Sequence, residues 1–230
     1  MFKKYNKKDN TSYSIGVFPT IELLKHRGKD VRKVYVSPKG FRNKGVDEIR
    51  ELSKKLGVQV VEDKKTIDII SRNENTYALG VFNKYNAPIK GGENHLILVE
   101  PGDMGNLGTI CRTMLAFGVK NLGIIKPAVD IFDPKAIRSS MGAIFNLNFE
   151  YFSSFDEYSK EFKNNIYTFM TDGKSSMEEI IFEKPYSLVF GNESSGLLEN
   201  YKNIGKSVKI GQTDDVDSLN LAIAVGISLY

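Results

Sequence analysis

The residues with the clearest chemical potential lie in three short polar stretches, each beside an apolar run. GNLGTICR contains Asn106 and Arg112 and follows the strand-like run HLILVE. GNESSG places Glu193 after the strand-like run YSLVF, and DSLN holds Ser218 and Asn220 before an apolar helical run. Amide, carboxylate and hydroxyl groups can orient a polar substrate, and a guanidinium can hold a phosphate through its rigid fork of donors.

Several other chemistries find no support in the sequence. The two histidines, His26 and His95, are far apart, and no His/Cys set has metal-ligand spacing. GNESSG lacks the nucleophile-elbow pattern of serine hydrolases. Cys111, the single cysteine, has apolar neighbours and is predicted to be a core thiol. The glycines of 102–108 lack the dinucleotide spacing and the next strand lacks a ribose-binding acid, which disfavours a nicotinamide-dependent oxidoreductase.

Each stretch alone has an ordinary structural explanation. Asn106 would cap a helix predicted over 107–117, and Ser218 would cap the terminal helix. Glu193 would be an exposed acid in a turn. Arg112 would be a surface residue, turned away from the apolar face of its helix.

Together the stretches resemble one family, the SpoU/TrmH RNA ribose 2′-O-methyltransferases of the SPOUT superfamily. Residues 106–113 resemble the first motif, LVFGNESSGL (188–197) the second, and DSLNLAIAVGISLY (217–230) the third. DPKAIRSSMGAIF (133–145) matches a further family segment. The likeness covers 95–230.

The resemblance implies an α/β domain with a mostly parallel sheet and a C-terminal trefoil knot. It implies S-adenosylmethionine as cofactor, ribosomal or transfer RNA as substrate, and a homodimer whose active site draws on both subunits. The residues implied to be catalytic are Arg112, Asn106, Glu193, Ser218 and Asn220. Those implied to bind the cofactor are Gly191, Asn192, Glu193, Gly196, Ile210, Ser218, Leu219 and Asn220.

The resemblance assigns activation of the ribose hydroxyl to Arg112. A guanidinium has a pKa above about 12, so we expect Arg112 to clamp phosphate and hydroxyl rather than remove a proton. Asn106 and Asn220 would orient the ribose or Arg112. Glu193 would hold the loop or the nucleotide, and Ser218 would shape the cofactor loop.

The third motif departs from the family pattern in two ways. The family usually has a proline after the strand that opens this motif, whereas this chain has Ile210-Gly211-Gln212. Additional acids precede the motif serine at Asp214, Asp215 and Asp217. Both features bear on the shape of the cofactor loop and on substrate preference.

The apolar runs predict the elements that position these stretches. From residue 95, the strand-like runs HLILVE, NLGIIK and IYTFM alternate with helices predicted over 107–117 and near 134–142. The strand-like runs YSLVFG and SVKIG and a terminal helix follow. Short strands separated by helices are typical of a mostly parallel sheet covered on both faces. Ligands in such sheets bind beyond the carboxyl ends of the strands. We therefore expect loops 101–108, 191–196 and 211–220 to contribute to the site.

Residues 12–83 are predicted to form a separate small α/β domain. Strand-like KVYVS, VQVVE and YALGVF alternate there with helical TIELLKH and VDEIRELSKKLG. The domain loosely resembles the ribosomal-protein-L30e-like domain that many family members carry as an RNA-binding extension. Residues 1–11 are predicted to be frayed, residues 84–94 to be a linker, and 95–230 to be the methyltransferase domain.

The charge is uneven along the chain, whose net charge is +4. Residues 1–90 carry 20 Lys and Arg against 10 Asp and Glu, which favours RNA binding by this half. The sequence has no membrane-spanning apolar run and no signal-peptide core, so a cytoplasmic location is expected. A non-catalytic RNA-binding protein on the same fold remains the alternative function.

Overall fold

A computed structural model describes residues 4–71, 75–213 and 215–230. The strands are β1 (Thr11–Ile15), β2 (Val31–Val36), β3 (Val60–Glu62), β4 (Ala78–Asn83), β5 (His95–Val99), β6 (Asn121–Ile125), β7 (Asn148–Phe152), β8 (Asn165–Phe169), β9 (Ser175–Ser176), β10 (Tyr186–Phe190) and β11 (Lys206–Lys209). The helices are α1 (Val17–Arg27), α2 (Lys44–Leu56), α3 (Lys64–Ser71), α4 (Met104–Ala116), α5 (Pro134–Ser139), α6 (Phe155–Glu161) and α7 (Leu221–Leu229).

The chain divides into two compact units. The first contains the described part of Met1–Tyr85 together with Asp130–Asn146. Its sheet has the order β1-β4-β2-β3, in which only β2 and β3 pair in parallel. Val46 and Ile49, one turn apart on α2, are buried with side chains of α1, β2 and β4. The helix ends at Leu56, and the next residue, Gly57, caps it with a left-handed φ of 69°.

The second unit contains Asn86–Val129 and Leu147–Tyr230. Its seven strands pair in parallel throughout, in the order β7-β6-β5-β10-β8-β11-β9, which confirms the predicted mostly parallel sheet. The carboxyl ends of β5, β10 and β11 therefore lie at one edge of the sheet. Five of these elements were not predicted because each is short or irregular in pattern: β1, α3, β7, α6 and β9.

Segments predicted to be frayed or linking make specific contacts. In the first unit, the Lys84 ammonium donates to the Tyr5 hydroxyl (3.0 Å) and to the carbonyl of Lys7 (2.8 Å). In the second unit, Ala87 bridges to Phe149, and the side chain of Ile89 is buried. Residues 133–145, which match a further family segment, belong to the first unit by their contacts.

Within the described ranges, no helix combines the length and the apolar character needed to cross a bilayer. The same ranges contain no group of three or more His, Cys, Asp or Glu side chains arranged to hold a metal ion.

His95 is a fully buried core residue. Its Nε2 lies 2.8 Å from the carbonyl of Lys90, which can only accept, so Nε2 carries the proton. Nδ1 then accepts from the Tyr158 hydroxyl at 2.8 Å, and that hydroxyl accepts in turn from Ser187. This arrangement requires a neutral imidazole, and burial lowers the pKa of His95 below its ordinary value.

We expect His95 to make stability depend on pH. Its folded-state pKa is lowered, so the unfolded chain binds more protons below about pH 6.5, and stability falls as the pH decreases from there. One such group contributes at most about 1.4 kcal/mol per pH unit. Urea unfolding of the wild type and His95→Gln, followed from pH 7.5 to 5, measures the difference. Equal pH dependence in both proteins would contradict this prediction.

Candidate active site

The first polar stretch lies in the opening turn of α4. Helix α4 begins at Met104, and the Asp103 carboxylate caps it by accepting from the backbone N–H of Asn106 at 2.8 Å. The prediction that Asn106 precedes and caps a helix over 107–117 was therefore wrong. Gly105 lowers helix propensity and concealed the first turn, although Asp103 is an ordinary capping signal.

Glu193 joins the second stretch to the start of α4. Its carboxylate accepts from the backbone N–H groups of Gly102 (2.9 Å) and Asp103 (3.1 Å). It also accepts from the side-chain amide of Asn106 at 3.3 Å. A negative charge is favourable at a helix N-terminus, so Glu193 holds the 191–196 loop against α4.

Asn106 extends this connection to the third stretch. Its side-chain oxygen accepts from the amide of Asn220 at 3.2 Å. Asn220 is the N-cap of α7 and accepts from the N–H groups of Ala222 (2.9 Å) and Ile223 (3.3 Å). One chain of hydrogen bonds, Glu193 to Asn106 to Asn220, thus links all three stretches.

Ser218 occupies a different place from the one predicted. The prediction that it caps the terminal helix was wrong, because α7 begins at Leu221 and Asn220 caps it. Asparagine is as good a cap as serine, and sequence alone did not decide between two candidates two residues apart. Ser218 is exposed beside a cavity and makes no hydrogen bond to any residue that the structure describes. Asp214, of the acidic cluster before it, lies outside the described residues.

Arg112 lies on the exposed face of α4. Its guanidinium forms no hydrogen bond or ion pair with the described residues, so its donors are available to a ligand. The neighbouring side chains Ile110, Cys111 and Met114 are buried and fix the face that Arg112 presents. Burial raises the pKa of the Cys111 thiol to about 12, which confirms the predicted core role and excludes a reactive thiolate.

The 191–196 loop is compact because glycine stands at both ends. A Cβ on Gly191 would lie 2.0 Å from the carbonyl carbon of Gly196, and Gly196 has a left-handed φ of 65°. The Asn192 side chain faces its own loop. It donates to the carbonyl of Glu100 (2.7 Å) and accepts from the N–H groups of Ser194 (2.8 Å) and Ser195 (3.3 Å).

A cavity of about 420 Å³ opens at the carboxyl ends of β8, β10 and β11. Its size is within the usual range of small-molecule sites, about 300–1,000 Å³. Asn220 is outside its lining, and seven of the eight predicted cofactor-binding residues are within it: Gly191, Asn192, Glu193, Gly196, Ile210, Ser218 and Leu219.

The cavity also contains residues that the sequence analysis missed. Residues 169–172 follow β8, which lies between β10 and β11 in the sheet. The IYTFM run indicated this strand, but its place in the sheet has no local signal. Four carboxylates line the described wall, namely Asp172, Glu193, Glu199 and Asp217, and no Lys, Arg or His does. Asp172 and Glu199 are both ion-paired with Lys202, which is not part of the lining. The four acids together with Lys202 are still net negative, so the cavity suits a cationic ligand.

Comparison with known proteins gives both a family match and similar proteins. The model of the "SpoU rRNA Methylase family" matches residues 93–230. The chain is 34% identical over 139 residues to an "uncharacterized tRNA/rRNA methyltransferase" of Synechocystis, a match covering 59% of this chain and 51% of that one. It is 29% identical over 152 residues to a "23S rRNA (uridine(2479)-2′-O)-methyltransferase" of Streptomyces viridochromogenes, covering 62% and 53%. The matches thus span about half the length of these two relatives.

The structure is similar to a solved "AdoMet bound rRNA methyltransferase" from Sinorhizobium meliloti. The TM-score is 0.80 at 27% sequence identity, with 96% of this chain and 85% of that chain covered. The similarity therefore extends over both units of the chain, in contrast to the family match, which begins at residue 93.

Proposed function

Because the chain belongs to the SpoU rRNA methylase family, we propose that it transfers a methyl group from S-adenosylmethionine to a ribose 2′-hydroxyl of ribosomal or transfer RNA. The observation that carries this proposal is the hydrogen-bond chain from Glu193 through Asn106 to Asn220 beside the cavity. It brings the three motifs together as a single site. The 2′-hydroxyl is named because the Streptomyces relative is a 2′-O-methyltransferase.

The cavity fits the cofactor by size and by charge. S-adenosylmethionine supplies the methyl group from a positively charged sulfonium, and the acidic lining suits such a cation. We infer that backbone groups of Gly191, Ile210 and Leu219 hold it. Gly191 lets the chain turn where any Cβ would meet Gly196. Ile210 and Gln212, of the Ile210-Gly211-Gln212 segment that departs from the family pattern, are both in the lining.

Arg112 acts on the RNA. Its guanidinium, which is not paired with any described residue, holds a substrate phosphate and the ribose hydroxyl, and its charge stabilises the oxygen as negative charge develops there. The guanidinium stays charged, since it is too weak an acid to lose a proton and so cannot act as the base. When the methyl group leaves sulfur for the 2′-oxygen, the hydroxyl proton would therefore pass to an oxygen of the substrate phosphate or to solvent, and S-adenosylhomocysteine would be released. Asn106 and Asn220 are already hydrogen-bonded to each other, so they position the loops around this arginine.

Glu193 is a positioning residue. Its carboxylate accepts hydrogen bonds from residues at the start of α4. We therefore infer that it holds the cofactor loop in place. We expect Glu193→Gln to place an N–H donor against a backbone N–H and to weaken cofactor affinity about 10- to 100-fold, as loss of charged hydrogen bonds does. Calorimetric titration with S-adenosylmethionine measures the change.

Asp217→Asn is the matched control for Glu193→Gln, because Asp217 lines the cavity and its carboxylate forms no ion pair with a described residue. It removes a charge from the same cavity lining but leaves the contacts to α4 in place. We expect the control to have less effect on affinity. Equal losses in the two variants would show that charge alone, and not loop anchoring, explains the effect of Glu193.

We propose that the protein is a homodimer through α4 and α7. These helices pack together, with Gly226 of α7 near Thr113 of α4. Their outer surface is apolar: Ile223 is 55% exposed, and Phe117 and Tyr230 are in contact edge to face. A contiguous exposed apolar surface of this kind favours self-association.

We expect Ile223→Glu to shift the protein from dimer to monomer, because a buried unpaired charge at the interface is costly. Methyl transfer should fall with it if the active site draws on both subunits. Sedimentation velocity measures the oligomeric state. Ile181→Glu is the control, since Ile181 is 87% exposed outside α4 and α7. A wild type that is monomeric at micromolar concentration would refute the dimer.

The remaining parts of the proposal concern organisation. We propose that residues 12–83 form an L30e-like RNA-binding domain and 95–230 the methyltransferase domain, whose C-terminal segment forms a trefoil knot. The positive charge of residues 1–90 supports the first assignment. We propose a cytoplasmic location because ribosomal and transfer RNA are found there.

The decisive experiment is incubation of the protein with methyl-labelled S-adenosylmethionine and total RNA from a methylation-deficient strain. Label on a ribose 2′-oxygen is the expected result, and mapping the nucleotide identifies the RNA. RNA binding without label transfer would instead support the non-catalytic alternative. Label on a base would contradict the proposed chemistry.

A further inference from the structure

A turn rich in cations lies in the first unit, between β2 and α2. We call residues 38–45, PKGFRNKG, the basic turn. Phe41, at its centre, is 86% exposed. One exposed apolar side chain alone needs no explanation, so its surroundings decide whether it has a role.

The basic turn is ordered by its own hydrogen bonds. The N–H of Gly40 donates to the carbonyl of Ser37 (2.9 Å), and that of Phe41 to the carbonyl of Pro38 (3.2 Å). The N–H of Asn43 donates to the carbonyl of Gly40 at 2.9 Å. Phe41 is thus presented to solvent from a defined backbone, so little conformational entropy would be lost when a ligand contacts it.

Three cations surround Phe41 in the chain, and the turn contains no acid. Lys39, Arg42 and Lys44 are all exposed, and none of their side chains is paired with a residue that the structure describes. Other cations of this unit do have carboxylate partners, such as Lys25 with Glu48 at 2.8 Å. The basic turn therefore concentrates unpaired positive charge around an exposed aromatic ring.

We propose that the basic turn binds an unpaired nucleotide of the substrate RNA, with Phe41 stacking on the base and the three cations contacting flanking phosphates. This inference rests on the proposed function only in taking RNA as the substrate. Aromatic stacking on unpaired bases and cation contacts to phosphates are the two ordinary sources of single-strand affinity. A protein partner fits less well, because an apolar interface would leave three cations without counter-charges.

Phe41 variants of the full-length protein test the stacking contact. The probe is a fluorescein-labelled, mixed-sequence single-stranded RNA of about twelve nucleotides, within the span that such sites bind. We expect Phe41→Ala to weaken binding about 5- to 100-fold in fluorescence anisotropy, and Phe41→Trp to retain it. Phe41→Leu should resemble alanine, because it keeps the apolar surface and loses the ring face.

The charge contribution is tested separately by salt dependence. We expect the triple variant Lys39→Gln, Arg42→Gln, Lys44→Gln to lower the slope of log affinity against log salt by about 2. The control changes three exposed lysines at the other end of α2 by the same charge: Lys29, Lys54 and Lys55. It should leave the slope closer to that of the wild type.

The possible results separate this inference from the proposed activity. Unchanged affinity in Phe41→Ala, full affinity in Phe41→Leu, or no measurable binding by the wild type would overturn the basic-turn site, even if methyl transfer is observed. Wild-type binding that depends on Phe41, with no methyl transfer to any RNA, would support the site and refute the activity. Cofactor affinity should be the same in all Phe41 variants.

Discussion

Arg112→Ala is expected to abolish methyl transfer, with a fall of about 1,000-fold or more, while S-adenosylmethionine affinity stays nearly unchanged. Removal of one charged donor aimed at a developing anion costs about this much in other enzymes. The effect should be confined to catalysis because Arg112 is exposed and absent from the lining of the cavity. Folding should also be unaffected, since its side chain supports no described contact.

Single-turnover transfer to RNA, together with calorimetric titration of the cofactor, tests this expectation. Arg112→Lys serves as the companion variant, since it keeps the charge but loses the fork of donors. We expect it to recover only a small part of the rate. Near-normal transfer by Arg112→Ala would remove this residue from the proposed chemistry, and loss of cofactor affinity would place it in the cofactor site.

Gly191→Ala is expected to have the largest effect on the cofactor site. The new Cβ would lie 2.0 Å from the carbonyl carbon and 2.3 Å from the carbonyl oxygen of Gly196, so the backbone must move. Overpacking of this kind costs about 1–3 kcal/mol in stability. A displacement of about 1 Å in the loop would also reduce methyl transfer about 100-fold.

Gly211→Ala is the matched control for this substitution. Gly211 follows the strand that opens the third motif, and its added Cβ would meet only a Glu178 oxygen at 3.6 Å, an ordinary contact. Thermal unfolding and cofactor titration of both variants make the comparison. If Gly191→Ala binds S-adenosylmethionine as tightly as the wild type does, the 191–196 loop is not the cofactor loop.

The sequence analysis was accurate where the signal was local. Apolar runs indicated the strands β5, β6, β8, β10 and β11, and the alternation of strands and helices predicted their parallel pairing. The predicted N-terminal caps of α4 and α7 were wrong. Asp103 and Asn220 are the true caps of α4 and α7, whereas neighbouring residues of equal capping ability were favoured instead.

The contacts within the site required the folded chain. Glu193 was recognised as a polar residue between glycines, but its partners Gly102 and Asp103 are about ninety residues earlier in the chain. The contacts of the Asn192 side chain were also found only in the structure: it donates to the carbonyl of Glu100 and accepts from the N–H of Ser194. The contacts that Glu193 and Asn192 make with residues 100–103 have no sequence signal apart from the family resemblance.

By itself, the sequence determined the residue types at the site, the α/β class and the strand-and-loop character of each motif. These properties follow from side-chain chemistry and short-range periodicity, which neighbouring residues carry. Only the tertiary structure decided that β8 lies between β10 and β11, so that residues 169–172 enter the cavity wall. It also decided that Glu193, Asn106 and Asn220 meet in one hydrogen-bond chain. Strand order and such contacts depend on how distant segments pack together, which no local pattern specifies.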